Sequence, residues 1–170
     1  MGISPYLSAL RERVGHDLIL LPAVSIFIWD DDGRLLLVRG SDTDTWQMVG
    51  GAVEPGESPQ DAARREAAEE AGVEVRLTGI RSVHGGPQYH YTYPNGDRVG
   101  FVSTAFDARI VSGEPHPDGD ETTEVAWLTL AELEAGERDA PGSARDESLP
   151  PLLRALLAES GVTADGATSS

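Results

Sequence analysis

The chain has 170 residues, 29 acidic against 13 basic side chains, a formal charge of −16 and no cysteine. These counts exclude a disulfide scaffold, a thiolate zinc site and a thiol nucleophile, and they oppose contact with nucleic-acid backbones unless metal ions intervene. Every basic residue is Arg, which also removes Schiff-base chemistry and a P-loop lysine, and a hydrophobic content of 39% suits one α/β or α+β core.

Taken in chain order, the first expected element is a short helix. Ser4 can cap it, Pro5 fits its first position, and Tyr6, Leu7, Leu10 and Val14 share a face that reads as packing. Residues 18–29 form the most apolar run, shorter than the roughly 20 residues a membrane helix needs and interrupted by Pro22, so they read as a buried strand. With no signal-peptide pattern, the chain is read as cytoplasmic, with no membrane partner and no nucleic-acid partner. Asp30-Asp31-Asp32-Gly33 then closes a hairpin onto residues 34–38; its three aspartates are solvated turn residues rather than a metal site. After the polar stretch 40–45, residues 46–49 form a short strand running into Gly50-Gly51, followed by a loop over 52–57.

The helix expected over Pro59–Ala71 has the clearest punctuation: Ser58 at the cap, Pro59 at the first position, Asp61 three residues beyond the cap, and Gly72 just past the end. Residues 73–83 and 99–111 are strands, with Tyr93-Pro94-Asn95-Gly96-Asp97 as the turn between them. A loop rich in Gly, Pro and acids covers 112–123, and a last strand covers 124–128. Thr129 with Glu132 then forms a capping box for a short helix ending at Gly136. Residues 137–148 read as a linker, Leu149, Leu152, Leu153, Leu156 and Leu157 as one face of an amphipathic helix, and 163–170 as a disordered tail. The two terminal helices are candidate contacts for a homodimer.

Chemistry concentrates on the 59–71 helix. Positions three and four apart share a helical face, so Glu66, Glu69 and Glu70 project together, while alanines elsewhere allow close packing on a sheet. Crowded carboxylates repel and raise one another's pKa, which calls for a positive partner. Arg65 supplies one such charge; hard oxygen donors without His or Cys favour Mg²⁺ or Mn²⁺ as another, shared with substrate phosphates. Glu57 can return to the same cluster through the Pro55-Gly56 turn. The chemistry suggested is metal-assisted attack of water on a phosphoryl group.

The full pattern resembles the Nudix box: Gly, five residues, Glu, seven residues, Arg-Glu, an apolar residue, one residue, Glu-Glu, one residue, Gly, apolar. Gly51, Glu57, Arg65, Glu66, Glu69, Glu70 and Gly72 occupy the fixed positions, with Ala67 and Val73 at the apolar ones. The resemblance covers about residues 18–136, leaving 1–17 as an N-terminal helical extension, 137–160 as linker and C-terminal helix, and 161–170 as tail. It implies an α/β/α sandwich around a mixed β-sheet. It also implies a pyrophosphohydrolase acting, with Mg²⁺ or Mn²⁺, on a small-molecule substrate of nucleotide type, a nucleoside diphosphate joined to another moiety. In that reading Glu66, Glu69 and Glu70 are metal ligands, and Glu57 is a further ligand or support. Arg65 orients a box glutamate, and Gly51 admits the substrate closely. Either a box glutamate or an acid of the late loop acts as general base, Glu121 first and Glu124 second. Val49 departs from the Pro that many members have before the double glycine, a change expected to touch loop rigidity more than chemistry.

Substrate contacts must come from outside the box. Trp46 precedes it, and His84, Tyr89, His90, Tyr91 and Tyr93 follow it as possible stacking faces. Arg39, Arg81 and Arg98 are phosphate candidates. Three functions are consistent with these residues: hydrolysis of a nucleoside diphosphate derivative, pyrophosphohydrolysis of a nucleoside triphosphate, and non-catalytic nucleotide sensing.

Overall fold

The computed structural model describes residues 4–41, 44–135 and 153. Its elements are α1 (Pro5–Val14), β1 (Ile19–Ile28), β2 (Leu35–Gly40), β3 (Trp46–Gln47), α2 (Pro59–Ala71), β4 (Glu74–His84), β5 (His90–Thr92), β6 (Arg98–Ser112), β7 (Thr122–Leu128) and α3 (Leu130–Ala135). A 3₁₀ turn at Pro87–Tyr89 leads into β5. The expected linker and tail lie outside the described residues, as does the C-terminal helix apart from Leu153.

Two sheets carry the fold. In the first, β6 lies between β1, which it pairs in parallel, and β4, antiparallel, with β5 also paired to β6; in the second, β2 lies between β3 and β7. This is a mixed α/β architecture, as expected. Each central strand serves two cores because successive side chains point to opposite faces. Val24, Ile26 and Ile28 of β1 and Leu36 and Val38 of β2 face α2. Phe27, Leu35 and Leu37 point the other way, to Trp46, Met48, Leu133 of α3 and Leu153. Helix α2 therefore covers one face, and α3 with Leu153 the other.

The expected β1–β2 hairpin is corrected. The turn forms, with the amide of Asp30 donating to the carbonyl of Arg34 and that of Gly33 to Asp30, but only the Trp29–Leu35 bridge joins the strands. Beyond it they enter different sheets, β1 taking β6 and β2 taking β7 as partner. Turn chemistry is local, whereas the choice of strand partner is made by distant segments. The short strand expected over 46–49 likewise pairs with β2 only through Trp46 and Gln47. The chain then crosses to β1, where the Ile26 amide donates to Val49 (2.8 Å) and the Val24 amide to Gly51 (2.9 Å), while the Val53 amide donates to Pro22 (3.0 Å). These three bonds fix the loop before α2, and Val49 itself is fully buried.

Helix α2 forms where its caps dictate. The Ser58 hydroxyl accepts from the Asp61 amide and donates to the Asp61 carboxylate, and Gly72 closes the helix in the left-handed conformation at φ 67°. Its buried positions fall in two adjoining rows, Ala63-Ala67-Ala71 and Ala62-Glu66-Glu70. The small residues let the helix sit against β1 and β4. Glu66 and Glu70 continue an alanine row, so the same close packing buries their carboxyl groups at the rim of the core.

Candidate active site

Arg65 organises the box. Its Nε and Nη2 bind the two oxygens of Glu57 (3.2 and 2.9 Å) in a fork. Its Nη1 reaches Glu66 (2.8 Å) and Glu69 (3.0 Å), and Nη2 also donates to the carbonyl of Ala52 (3.1 Å). Glu57 is further held by the Glu54 amide (2.7 Å). The Arg65 bond, first among the causes, holds the Glu57 carboxyl below its ordinary pKa, and the surrounding carboxylates raise that of Arg65.

Glu70 is placed differently. It is 1% exposed, and its Oε2 accepts from the Gly50 amide (2.9 Å). Burial, chiefly, pushes its pKa up to about 8; the Gly50 bond opposes this, and Glu66, Glu121 and Asp118 add to it. Burial also raises Glu66, with Arg65 opposing.

The late loop is tied to the same helix. The buried Thr122 hydroxyl donates to the carbonyl of Glu70 (2.8 Å), and the Thr122 amide donates to Asp118 (2.8 Å). This strut brings Glu121 to the rim of a cleft of about 820 Å³ that Arg65, Glu66 and Glu69 also line. Glu121 and the box thus meet across more than fifty residues of sequence. Glu124 points elsewhere, to Arg39 (2.8 Å).

The two glycines of the loop have separate tasks. A Cβ on Gly51 would stand 2.2 Å from a Glu66 carboxylate oxygen, and one on Gly50 would stand 2.2 Å from the backbone carbonyl of Val24. Gly51→Ala is therefore expected to lower the melting temperature less than Gly50→Ala, since a side-chain carboxylate rather than backbone has to move, while lowering kcat at least about tenfold by moving Glu66, one decade for about 1.4 kcal/mol of misplacement. Gly50→Ala must instead shift backbone and should lose about 1–3 kcal/mol or more. Thermal melts alongside initial rates separate the two; equal effects on both readouts would show that Gly51 is structural.

Other expected residues lie outside this cluster. Trp46, expected as a stacking face, is 8% exposed and packs in the second core, so its ring area is committed to the fold. Arg39 forms ion pairs with Asp44 and Glu124 (2.8 Å each). Tyr91 lies on β5 with its ring 5.8 Å from that of Phe101. Arg81 pairs with Asp107 beneath the rings of Phe27 and Trp29. None of these four lines the cleft. Conversely, α1, read from its sequence as packing, contributes Tyr6, Leu7, Leu10 and Arg11 to the cleft wall. Its helical periodicity was legible; that its apolar face looks onto a cleft was not.

Among the described residues, no three acidic or imidazole groups are gathered as a ready-made metal cage. Three glutamates are instead drawn onto one guanidinium, which occupies the charge position a cation would share. The donor chemistry nevertheless fits a hard divalent ion: Glu57, Glu66 and Glu69 are oxygen donors, and Gly51 leaves open the space against Glu66.

A family model described as the NUDIX domain matches residues 20–149. The chain belongs to the Nudix hydrolase family. Among relatives of this Nudix chain, a MutT-like protein of Streptomyces ambofaciens is 31% identical over 128 residues, covering 75% of each chain. An isopentenyl-diphosphate Delta-isomerase of Mycolicibacterium vanbaalenii is 34% identical, covering 75% of this chain and 73% of its own. The crystal structure of a MutT NUDIX hydrolase from Burkholderia pseudomallei superposes with a TM-score of 0.61 at 25% identity, covering 82% of this chain and 97% of that one. As a Nudix hydrolase the chain is an enzyme acting on phosphorus anhydrides of small nucleotide-type substrates, in a family that generally uses a divalent metal. No helix among the described residues is long and apolar enough to cross a membrane.

Proposed function

We propose that this Nudix hydrolase cleaves the diphosphate linkage of a nucleoside diphosphate derivative such as a nucleotide sugar or ADP-ribose. The observation that carries the reading is the cleft, which is lined by Glu66, Glu69 and Glu121 and also by apolar side chains, among them Leu7, Leu10 and Leu20. Its volume of about 820 Å³ is in the range of sites that enclose whole small molecules. A diphosphate flanked by an organic group fits such a mixed lining; inorganic pyrophosphate would leave its apolar residues unused.

In this reading Glu66, Glu69 and Glu70, supported by Glu57, hold Mg²⁺ or Mn²⁺. When bound, the ion offsets phosphate charge and lowers the pKa of the attacking water. Arg65 keeps the glutamates at fixed spacing, and Gly51 lets the diphosphate approach. Water attacks one phosphorus, the anhydride P–O bond breaks, and the water proton passes to a carboxylate, with Glu121 and Glu70 as candidates. A triphosphate substrate is the second reading, favoured by a Bacillus subtilis relative described as a putative 8-oxo-dGTP diphosphatase.

The test is a screen of purified protein with Mg²⁺ or Mn²⁺ against nucleotide sugars, ADP-ribose, dinucleoside polyphosphates, nucleoside triphosphates and isopentenyl diphosphate, following phosphate products. Turnover of nucleotide sugars or ADP-ribose, lost in chelator, is expected. Preference for triphosphates would select the second reading. Isomerisation of isopentenyl diphosphate without phosphate release, or no turnover in any class, would overturn both.

A further inference from the structure

Helix α1 is amphipathic, yet none of its residues is buried. Its apolar side chains enter neither core; Tyr6 is 53% exposed and, with Leu7 and Leu10, lines the cleft that holds Glu66 and Glu69. What fixes the helix is polar. Arg11 donates to the carbonyls of Gly15 (3.0 Å), Asp17 (2.7 Å) and Arg98 (2.7 Å). His16 is bonded to the buried Asp97 (2.7 Å), whose amide and carboxylate are also bonded to Asn95. Leu7 and Leu10 are half-buried and Tyr6 is exposed, so the face leaves apolar area open at the cleft, forgoing about 25 cal/mol for every Å² not buried, and that area is available to a ligand.

The opposite wall supplies Leu20, 63% exposed, and Tyr93, 46% exposed, on the turn anchored by Asp97. Four polar side chains at this end are engaged within the protein: Ser4 caps α1, Arg11 and Asp97 anchor it, and Asn95 bonds Asp97. We propose that α1, Leu20 and the Tyr93 turn form a subsite for a flat, uncharged aromatic group, the base of the substrate, recognised by ring and aliphatic contact. The proposal rests on the diphosphate reading above and assigns the N-terminal helix to specificity. With recognition resting on ring and aliphatic contact, adenine, guanine and uracil should differ in affinity by no more than about a hundredfold, the range of apolar pockets, and not by the 10⁴ or more of sites built on hydrogen bonds.

The test is calorimetric binding, with Mg²⁺, of α,β-methylene-ADP and of the base-free methylenediphosphonate. Wild type should bind both. The Tyr6→Ala/Leu10→Ala double variant should bind the nucleotide about 5- to 150-fold more weakly, the span of lost ring stacking, bind the diphosphonate unchanged, and melt with wild type. Tyr93→Ala, on the other wall, repeats the test should the double variant fail to fold. Unchanged nucleotide affinity in the variants, or equal loss for both ligands, would overturn the subsite. Wild type binding diphosphonate and not the nucleotide would overturn it while sparing the diphosphate reading; wild type binding neither would overturn that reading, and the subsite with it.

Discussion

Glu70→Gln is expected to lower kcat at least about a hundredfold, within the 10²–10⁴ that a positioned acid or base contributes, while leaving the fold intact. Glutamine keeps the shape of the side chain and can still accept the Gly50 amide, so the loop before α2 stays anchored. What it removes is the negative charge and the proton-accepting oxygen, which is what either a ligand or a base role requires. Near-normal turnover with Mg²⁺ would sink both roles. The same substitution has a stability signature in chelator. Glu70 titrates at about 8 when folded against an ordinary 4.5, so between those values the folded chain holds a proton that the unfolded chain has released. Stability of the metal-free protein should therefore decline as pH rises from about 4.5 to about 8, and Glu70→Gln should flatten that decline. Urea melts at several pH values in chelator read the slope directly; parallel slopes in the two proteins would show that Glu70 is not the group responsible.

Arg65→Ala should have the larger cost to the fold. One guanidinium forms ion pairs with Glu57, Glu66 and Glu69 and bonds the Ala52 carbonyl. Removing one member of a fully buried pair costs about 3–5 kcal/mol; with the Arg65 side chain 31% exposed, solvent screening reduces the expectation to about 2–3 kcal/mol. The loss should be greatest above the carboxylate range. Glu57 is held below its ordinary pKa by Arg65, so its share of the stabilisation is present above its unfolded pKa and disappears as pH falls through the folded one. Arg65→Lys should recover little, because a single ammonium cannot make the forked contact with Glu57 while also reaching Glu66 and Glu69. If divalent cation stabilises Arg65→Ala more than wild type, the cation and the guanidinium share the same carboxylates; no difference would separate them.

Much of α2 could be read directly from sequence, because caps and periodicity act over a few residues. Ser58, Pro59 and Gly72 bound the helix where they were expected to, and its spacing places Glu66 and Glu70 on one row. Strand partners could not be read in this way. The Asp30–Gly33 turn suggested a hairpin, but the apolar faces of β1 and β2 found separate partners in β6 and β7. Aromatic residues were similarly ambiguous, since the same ring can fill a core or face a ligand. Trp46 went to the core, while Tyr6 and Tyr93 line the cleft.

The opening charge arithmetic divides along the same line. Of the net −16, residues 1–111 carry −6 and residues 112–170 carry −10, so the acids of the box are a minority distinguished by spacing rather than number. The sequence alone determined that spacing, the helix bearing it and the family, because each depends on residues near one another in the chain. Only the tertiary structure decided that Thr122 brings Glu121 to the box and that α1 lines the same cleft. Those contacts join segments far apart in sequence, and the long-range packing that brings them together leaves no local pattern to read.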